Sequence, residues 1–199
     1  LFPTMINAWR TKWGFEVPFY WVQLANYMAK DKEPQRSEWA ELRESQSAAL
    51  SLPRTGQAVI TDIGEGDDIH PRNKQDVGLR LALIALERTY GMNGVVSSGP
   101  VFKSMNITGN KVSIEFEHIG EGLSVHNKYG YIEGFAVAGD DRKFEWAQAY
   151  LEGDRVIVFS NRVTRPVAVR YSWSDNPDVN LFNKKGLPAA PFRTDNYQK

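Results

Sequence analysis

A short polar segment, residues 62–71, carries the side chains best suited to catalysis. Its histidine, His70, follows one acid, Asp67, by three residues and another, Asp68, by two. A carboxylate that near in sequence can hold one ring nitrogen of the imidazole, fix its tautomer and stabilise the imidazolium formed on proton uptake. The segment therefore matches the base and the orienting acid of a serine-histidine-aspartate triad. The spacing alone fits equally well a histidine that caps the following helix or bonds within the loop, beside solvated acids.

The elements around this segment place it where a site is expected. Residues 57–63 form a short apolar run that predicts a strand, and the apolar spacing over residues 73–90 predicts a helix that ends at Gly91. Ligands of open α/β sheets bind just beyond the carboxyl ends of the strands. The polar loop of residues 64–71 lies between this strand and this helix, a favourable position for chemistry.

The preceding residues continue an alternation of helices and strands. Apolar residues recur every three to four positions over residues 5–13, which predicts a helix stopped by Gly14, and residues 19–24 predict a strand buried on both faces. Ser37 is the expected N-cap of the next helix. Because two strands cannot cover three helices, we expect further strands from an upstream segment or another chain.

In the second half the apolar period changes to two, which predicts antiparallel strands. Gly109-Asn110 and Gly153-Asp154 are hairpin turn signals. We therefore predict an α/β unit over residues 1–95 and an antiparallel β-sandwich over residues 96–199. The sandwich is expected to end in an ordered but irregular loop from Ser174. The alternating apolar residues are Val112, Ile114, Phe116, Phe135, Val137, Val156, Val158, Val167, Val169, Tyr171 and Trp173.

Composition narrows the classes of function. The 199 residues carry a formal net charge of zero, 42% of them are hydrophobic, and none is cysteine. A folded core is expected, whereas neither the charge nor the apolar runs indicate nucleic acid or a membrane as a partner. His118 and His126 lie near acidic residues, but their spacing matches no compact metal motif, so we predict solvated loop histidines. The sequence indicates no metal and no other cofactor.

Residues 67–82 closely resemble the last conserved block of the sialate O-acetylesterase family, a branch of the SGNH hydrolases. They read Asp-Asp-Ile-His-Pro-Arg-Asn-Lys-Gln-Asp-Val-Gly-Leu-Arg-Leu-Ala. Three other stretches are similar to the same family, so the resemblance spans nearly the whole chain and is more specific than any single motif. These stretches are Leu1-Phe2-Pro3-Thr4-Met5-Ile6 with Trp9-Arg10 and Trp13-Gly14, Pro18-Phe19-Tyr20 with Gln23-Leu24-Ala25, and Ser174-Asp175-Asn176-Pro177 with the residues that follow it as far as Asp195.

The resemblance implies a serine esterase that hydrolyses acetyl esters on sugars, either O-acetylated sialic acid or acetylated polysaccharide. It implies a three-layer αβα SGNH (flavodoxin-like) domain, whose carboxy-terminal half corresponds to residues 1–95, joined to a β-sandwich. His70 becomes the general base. Asp67 has the spacing usual for the acid of SGNH triads, whereas Asp68 stands in the family's Asp-Ile-His-Pro string, and both stay candidates. The family also implies secretion or export to the periplasm.

The chain departs from the family in the nucleophile. Neither the family's Gly-Gln-Ser-Asn string nor a Gly-x-Ser-x-Gly occurs, and the Gln-Gly-Glu block that helps to form the oxyanion hole is also missing. We therefore expect an upstream catalytic segment to supply the serine, and the chain by itself to be inactive.

Two further functions stay open: a non-catalytic carbohydrate-binding module and an architectural support, both in the second half. Trp146 and Trp173 are candidates for stacking on a sugar ring, although Trp173 shares a face with Val169 and Tyr171 and is expected in the core. Gln23, near the end of the first strand, faces either the active-site crevice or the interior.

Overall fold

A computed structural model describes residues 1–197 and shows helices alternating with strands in the first half. The elements are α1 (Phe2–Trp13), β1 (Phe19–Val22), α2 (Glu38–Ser47), β2 (Thr55–Ala58) and α3 (Lys74–Arg88), with a 3₁₀ turn at Ala48–Ser51 after α2. β1 and β2 pair in parallel, from Phe19 beside Thr55 to Val22 beside Ala58. The predicted α/β pattern is confirmed in this half.

The ends of these helices follow from local chemistry. Ser37 caps α2, since its Oγ accepts a hydrogen bond from the Ala40 amide at 2.9 Å. Gly14 ends α1 in left-handed backbone with a φ of 77°. The end of α3 differs from the prediction, because Thr89 is its C-cap and Gly91, with a φ of 63°, follows two residues later.

The second strand begins earlier and ends sooner than predicted. β2 ends at Ala58, and residues 59–63, which the sequence assigns to the strand, lead through a turn into the loop. Their apolar character reflects burial without strand pairing, since Ile60 is only 4% exposed although it lies outside the sheet. The apolar run over residues 59–63 therefore correctly predicts burial, but its assignment to a paired strand is wrong.

α1 and α3 leave part of their apolar surface uncovered. Ile6 is fully buried, but Trp9 and Trp13 on the same helix are 49% and 50% exposed, and Leu79 on α3 is 54% exposed. A parallel pair of four-residue strands offers too little surface to cover three helices. None of the helices within residues 1–197 is long and apolar enough to cross a bilayer.

Antiparallel strands dominate the second half, as the period of two predicts. The strands are β3 (Val101–Thr108), β4 (Lys111–Glu117), β5 (Leu123–Val125), β6 (Phe135–Ala138), β7 (Phe144–Trp146), β8 (Gln148–Glu152), β9 (Arg155–Phe159), β10 (Ala168–Tyr171), β11 (Leu181–Asn183) and β12 (Phe192–Arg193). Two four-stranded sheets have the orders β3-β4-β9-β8 and β12-β10-β6-β7, and β11 pairs with β5. The tail from Ser174 is irregular, as expected, apart from β11 and β12.

One hydrophobic cluster joins the two larger sheets. Ile114 from β4, Val137 from β6 and Val169 from β10 are all fully buried in it. The predicted hairpin turns at residues 109–110 and 153–154 connect β3 to β4 and β8 to β9. The two sheets are therefore stabilised mainly by apolar burial between them.

Arg43 on α2 links the two halves of the chain. Its fully buried side chain donates hydrogen bonds to the carbonyls of Leu24 and Ala25 at 2.9 and 2.7 Å, and to those of Ser174 and Asp175 at 2.7 and 2.9 Å. Burial lowers the pKa of Arg43 to about 10, while the negative charge of Asp175 acts in the opposite direction. Since a buried cation needs all its hydrogen bonds, the position of the tail is fixed against α2.

Candidate active site

The loop that carries His70 starts with a buried ion pair. Two guanidinium nitrogens of Arg80 on α3 meet the two carboxylate oxygens of Asp62 at 2.6 Å each, and both side chains are 8% exposed. Arg80 also donates to the Val59 carbonyl at 2.7 Å. Because a bidentate pair fixes direction as well as distance, the chain leaves β2 in a defined direction.

Two glycines let the middle of the loop pack closely against other segments. A Cβ on Gly64 would lie 2.2 Å from Asn26 Oδ1, the atom that accepts a hydrogen bond from the Gly64 amide at 2.7 Å. A Cβ on Gly66 would lie 2.6 Å from Asn176 Nδ2 and 2.9 Å from the Met28 carbonyl oxygen. Glycine is required at both positions because a neighbour's atom already occupies the place of a side chain.

Hydrogen bonds among four residues hold the loop against both halves of the protein. Asn26 Nδ2 donates to Asn176 Oδ1 at 2.8 Å, and Asn176 Nδ2 donates to the Met28 carbonyl at 2.7 Å. The Met28 amide in turn donates to the Gly66 carbonyl at 2.8 Å. We call Asn26, Met28, Gly66 and Asn176 the asparagine junction.

The far end of the loop is closed by side chains that accept from backbone amides. Glu65 Oε1 accepts from the Arg72 amide at 2.8 Å, and Asn73 Oδ1 accepts from the Asp76 amide at 3.1 Å, so that Asn73 is the N-cap of α3. The loop is thus tied at its start, its middle and its end. Such bracing on several sides is what a catalytic loop needs to hold a side chain in place.

His70 lies beside Asp68 in this loop. Asp68 Oδ1 accepts a hydrogen bond from the His70 amide at 2.8 Å and lies 3.7 Å from the ring Nδ1. The first contact shapes the backbone, whereas the second is too long for a hydrogen bond. Asp67 is exposed at the turn before Asp68, where its carboxylate forms no ion pair with any residue the structure describes. The structure therefore places Asp68 against His70 and leaves Asp67 free to turn.

The imidazole of His70 is open to solvent. Its side chain is 86% exposed, and no hydroxyl group of residues 1–197 hydrogen-bonds to its ring. A general base acts on a nucleophile held within about 2.6–3.2 Å. The described residues thus place His70 beside Asp68 in an exposed position, with space around the ring for further groups.

The other residues considered from the sequence have structural or solvated positions. Gln23 is 1% exposed and donates to the Arg43 carbonyl at 3.2 Å, which places it in the interior. His118 and His126 are exposed, and the described part of the chain holds no cluster of ligands suited to a metal. Trp173 is 8% exposed, which confirms its expected burial.

Sequence reasoning missed the residues that brace the loop. For Arg80 a signal was present, since it falls between Val77 and Ile84 on the apolar face of the predicted helix, where a cation requires a buried partner. For Asn26 and Asn176 the local sequence carries no such signal, because their partners are distant in the chain.

The chain is similar to known esterases over nearly all of its length. No profile of a known protein family matches it. The sialate O-acetylesterase of Mus musculus is 26% identical over 96% of this chain and 40% of its own length, and that of Pongo abelii is 27% identical over 96% and 41%. The Homo sapiens sialate O-acetylesterase is 26% identical over 96% and 41%. The chain therefore spans about 40% of the length of these curated relatives.

A solved structure gives a higher similarity. The crystal structure of a carbohydrate acetylesterase from Xanthomonas citri superimposes with a TM-score of 0.91 and is 52% identical, covering 98% of this chain and 45% of the other. Sequence and structure thus lead to the same group of proteins. The chain is related over nearly all of its length to the sialate O-acetylesterase family, which confirms the resemblance drawn from its sequence.

Proposed function

We propose that this chain carries the acid-base part of a serine-type carbohydrate O-acetyl esterase. The observation that supports this most directly is His70, which lies beside Asp68 and three residues after Asp67 in a braced loop after β2, in a chain whose relatives are acetylesterases. The serine would come from a segment outside residues 1–199, as would part of the oxyanion hole. The substrate class is an acetylated sugar, either O-acetylated sialic acid or acetylated polysaccharide.

His70 moves the protons in the proposed reaction. It takes the proton of the serine hydroxyl as the oxygen attacks the acetyl carbonyl, and gives that proton to the sugar oxygen as the ester bond breaks. An acetyl-enzyme and a free sugar hydroxyl result. His70 then takes a proton from water, whose oxygen attacks the acetyl group, and returns the proton to the serine as acetate leaves.

The two acids take different roles in this proposal. Asp68 already accepts the His70 amide, so we assign it to the shape of the loop. Asp67 has the three-residue spacing usual for the acid of this kind of triad, and its exposed carboxylate is available to accept the Nδ1–H of His70. A turn of the exposed imidazole towards Asp67 breaks no hydrogen bond of the ring with any residue that the structure describes.

We also propose a division into two domains. The parallel pair β1–β2 with its helices favours part of an αβα layer over residues 1–95. The apolar cluster shared by the two four-stranded sheets favours a β-sandwich over residues 96–199. Secretion or export to the periplasm stays a prediction from the resemblance.

The test is acetate release by the active protein with His70→Ala, assayed on O-acetylated sialic acid and on acetylated xylan. We expect a loss of at least ~10³-fold, because the general base is removed. His126→Ala is the matched control, since His126 is also exposed but lies between β5 and β6. Unchanged acetate release from the His70 variant would refute the proposal.

A further inference from the structure

A cavity of about 390 Å³ lies between residues 131–135, 146–149 and 172–178 of the second half and residues 30–31 of the first. Its volume is within the range of small-molecule sites. It lies apart from His70, which is not among the residues that line it. Residues that matter for its chemistry are Lys30, Tyr131, Glu133, Trp146, Gln148 and Asp178.

Two exposed aromatic rings line this cavity. Trp146 is 39% exposed and Tyr131 is 63% exposed. The indole Nε1 of Trp146 donates to the Lys32 carbonyl at 2.9 Å, so the plane of the ring is fixed before any ligand arrives. A rigid aromatic face binds the C–H face of a sugar ring at a small entropic cost.

Polar groups accompany these rings, as the hydroxyls of a sugar require. Gln148 and Glu133 are exposed at the cavity and offer an amide and a carboxylate.

The excess of negative charge around the cavity favours neutral sugars over anionic ones. Three carboxylates, those of Asp31, Glu133 and Asp178, line it together with one ammonium group, that of Lys30. Lys30 and Asp178 form an ion pair with each other, which leaves the other two acids in excess. A sugar that carries a carboxylate is repelled by this arrangement, whereas a neutral sugar is not.

The cavity and the His70 loop share a wall. Asn176 lines the cavity and belongs to the asparagine junction, where its Nδ2 donates to the Met28 carbonyl at 2.7 Å and packs on Gly66. A ligand seated in the cavity would therefore lie against Asn176, which also braces the His70 loop.

We propose that this cavity binds a neutral sugar unit of an acetylated polysaccharide. The role in cleavage rests on the proposed esterase function, whereas the binding itself does not. The cavity accordingly narrows the substrate class from all acetylated sugars to neutral acetylated polysaccharides.

The test is isothermal titration calorimetry on the protein carrying His70→Ala, so that ester hydrolysis contributes no heat. The probes are unacetylated xylohexaose, mannohexaose and cellohexaose, with N-acetylneuraminic acid as the anionic sugar. We expect at least one neutral hexasaccharide to bind, and Trp146→Ala or Tyr131→Ala to weaken its affinity at least tenfold. Trp146→Phe, which keeps a ring and disturbs the strand less, is expected to retain most of the affinity.

Tyr129→Ala is the matched control, because Tyr129 is 74% exposed nearby and does not line the cavity. The proposal is overturned if no neutral hexasaccharide binds, or if neither Trp146→Ala nor Tyr131→Ala changes the affinity. It is also overturned if N-acetylneuraminic acid binds more tightly than the neutral probes. Since binding is measured without catalysis, its failure is separate from a failure of the esterase proposal, which the His70 assay decides.

Discussion

The guanidinium of Arg80 and the carboxylate of Asp62 are joined by two contacts of 2.6 Å at the point where the chain leaves β2 for the His70 loop. Neither side chain is more than 8% exposed. A charge in such a place is tolerated only with its partner. The pair therefore couples the stability of α3 to the path of the loop.

Removal of one partner is expected to be costly. Arg80→Ala leaves the Asp62 carboxylate buried and unpaired, and we expect a loss of about 3–5 kcal/mol in the free energy of unfolding, measured by urea denaturation. Arg72→Ala is the control, because Arg72 pairs with Glu65 at 3.5 Å but is 84% exposed, and its loss is expected to cost under about 1 kcal/mol. Equal losses for the two variants would contradict a structural role for the buried pair.

Gly64 and Gly78 offer a matched comparison of the same substitution. Gly64→Ala places a Cβ 2.2 Å from Asn26 Oδ1 and is expected to destabilise the protein by about 1–3 kcal/mol, with a loss of activity because the loop shifts. Gly78 lies in α3 with nothing within 4 Å of an added Cβ, so Gly78→Ala is expected to stabilise by about 0.5–1 kcal/mol. The unfolding temperatures of both variants test this comparison. A higher unfolding temperature for Gly64→Ala would show that the loop can adjust to the added Cβ.

The roles of the two acids before His70 can be distinguished by kinetics on the active protein, that is, this chain together with the segment that supplies the serine. We expect Asp67→Asn to lower kcat for acetate release by about 10³–10⁴-fold, since the neutral amide no longer stabilises the imidazolium. Asp68→Asn keeps an oxygen for the His70 amide, so a much smaller loss is expected. The reverse order of effects would assign the orienting role to Asp68.

Asp195 is expected to make stability sensitive to acid. Burial acts to raise the pKa of Asp195, but the hydrogen bond and charge of Arg170, together with the Tyr197 amide and the charge of Arg193, outweigh burial, so this pKa lies below its ordinary value. A lowered folded pKa means that the carboxylate stabilises the fold above about pH 4, its unfolded value, and that this contribution is lost as the pH falls through the folded pKa. Asp195 Oδ2 lies 2.8 Å from Arg170 Nε, and its side chain is fully buried.

Asp195→Asn is therefore expected to destabilise the protein at pH 7 by about 1–3 kcal/mol, since Arg170 keeps its charge but loses its charged partner. The difference from the unmodified protein is expected to shrink below pH 4. Urea denaturation at pH 7 and pH 3 measures both effects, with Asp140→Asn as the exposed control. A difference that does not depend on pH would exclude the ionised carboxylate as its cause.

The sequence was informative wherever a structure depends on neighbours along the chain. The cap at Ser37 and the hairpin turns at residues 109–110 and 153–154 are local, and local patterns predict them. The position of His70 in a loop after a parallel strand was also readable, because β2 and α3 flank it directly.

Long-range contacts were beyond the reach of local patterns. The exposure of Trp9 depends on which elements surround α1, and no period in the sequence reports that. Nor does any local pattern indicate that β12 pairs with β10, or that Asn176 reaches Gly66. The roles of the acids beside His70 depend on the orientation of side chains, which spacing leaves open.

The asparagine junction also determines when, during translation, the His70 loop can be fixed in place. Asn26 and Asn176 are 150 residues apart, so their bond forms only after most of the chain has been translated. The helices and the parallel strands are assembled from near neighbours and can form early in the nascent chain. The loop with His70, however, is braced only once Asn176 has been made, and so a chain stalled before that residue has His70 without the contact that gives its loop a fixed shape.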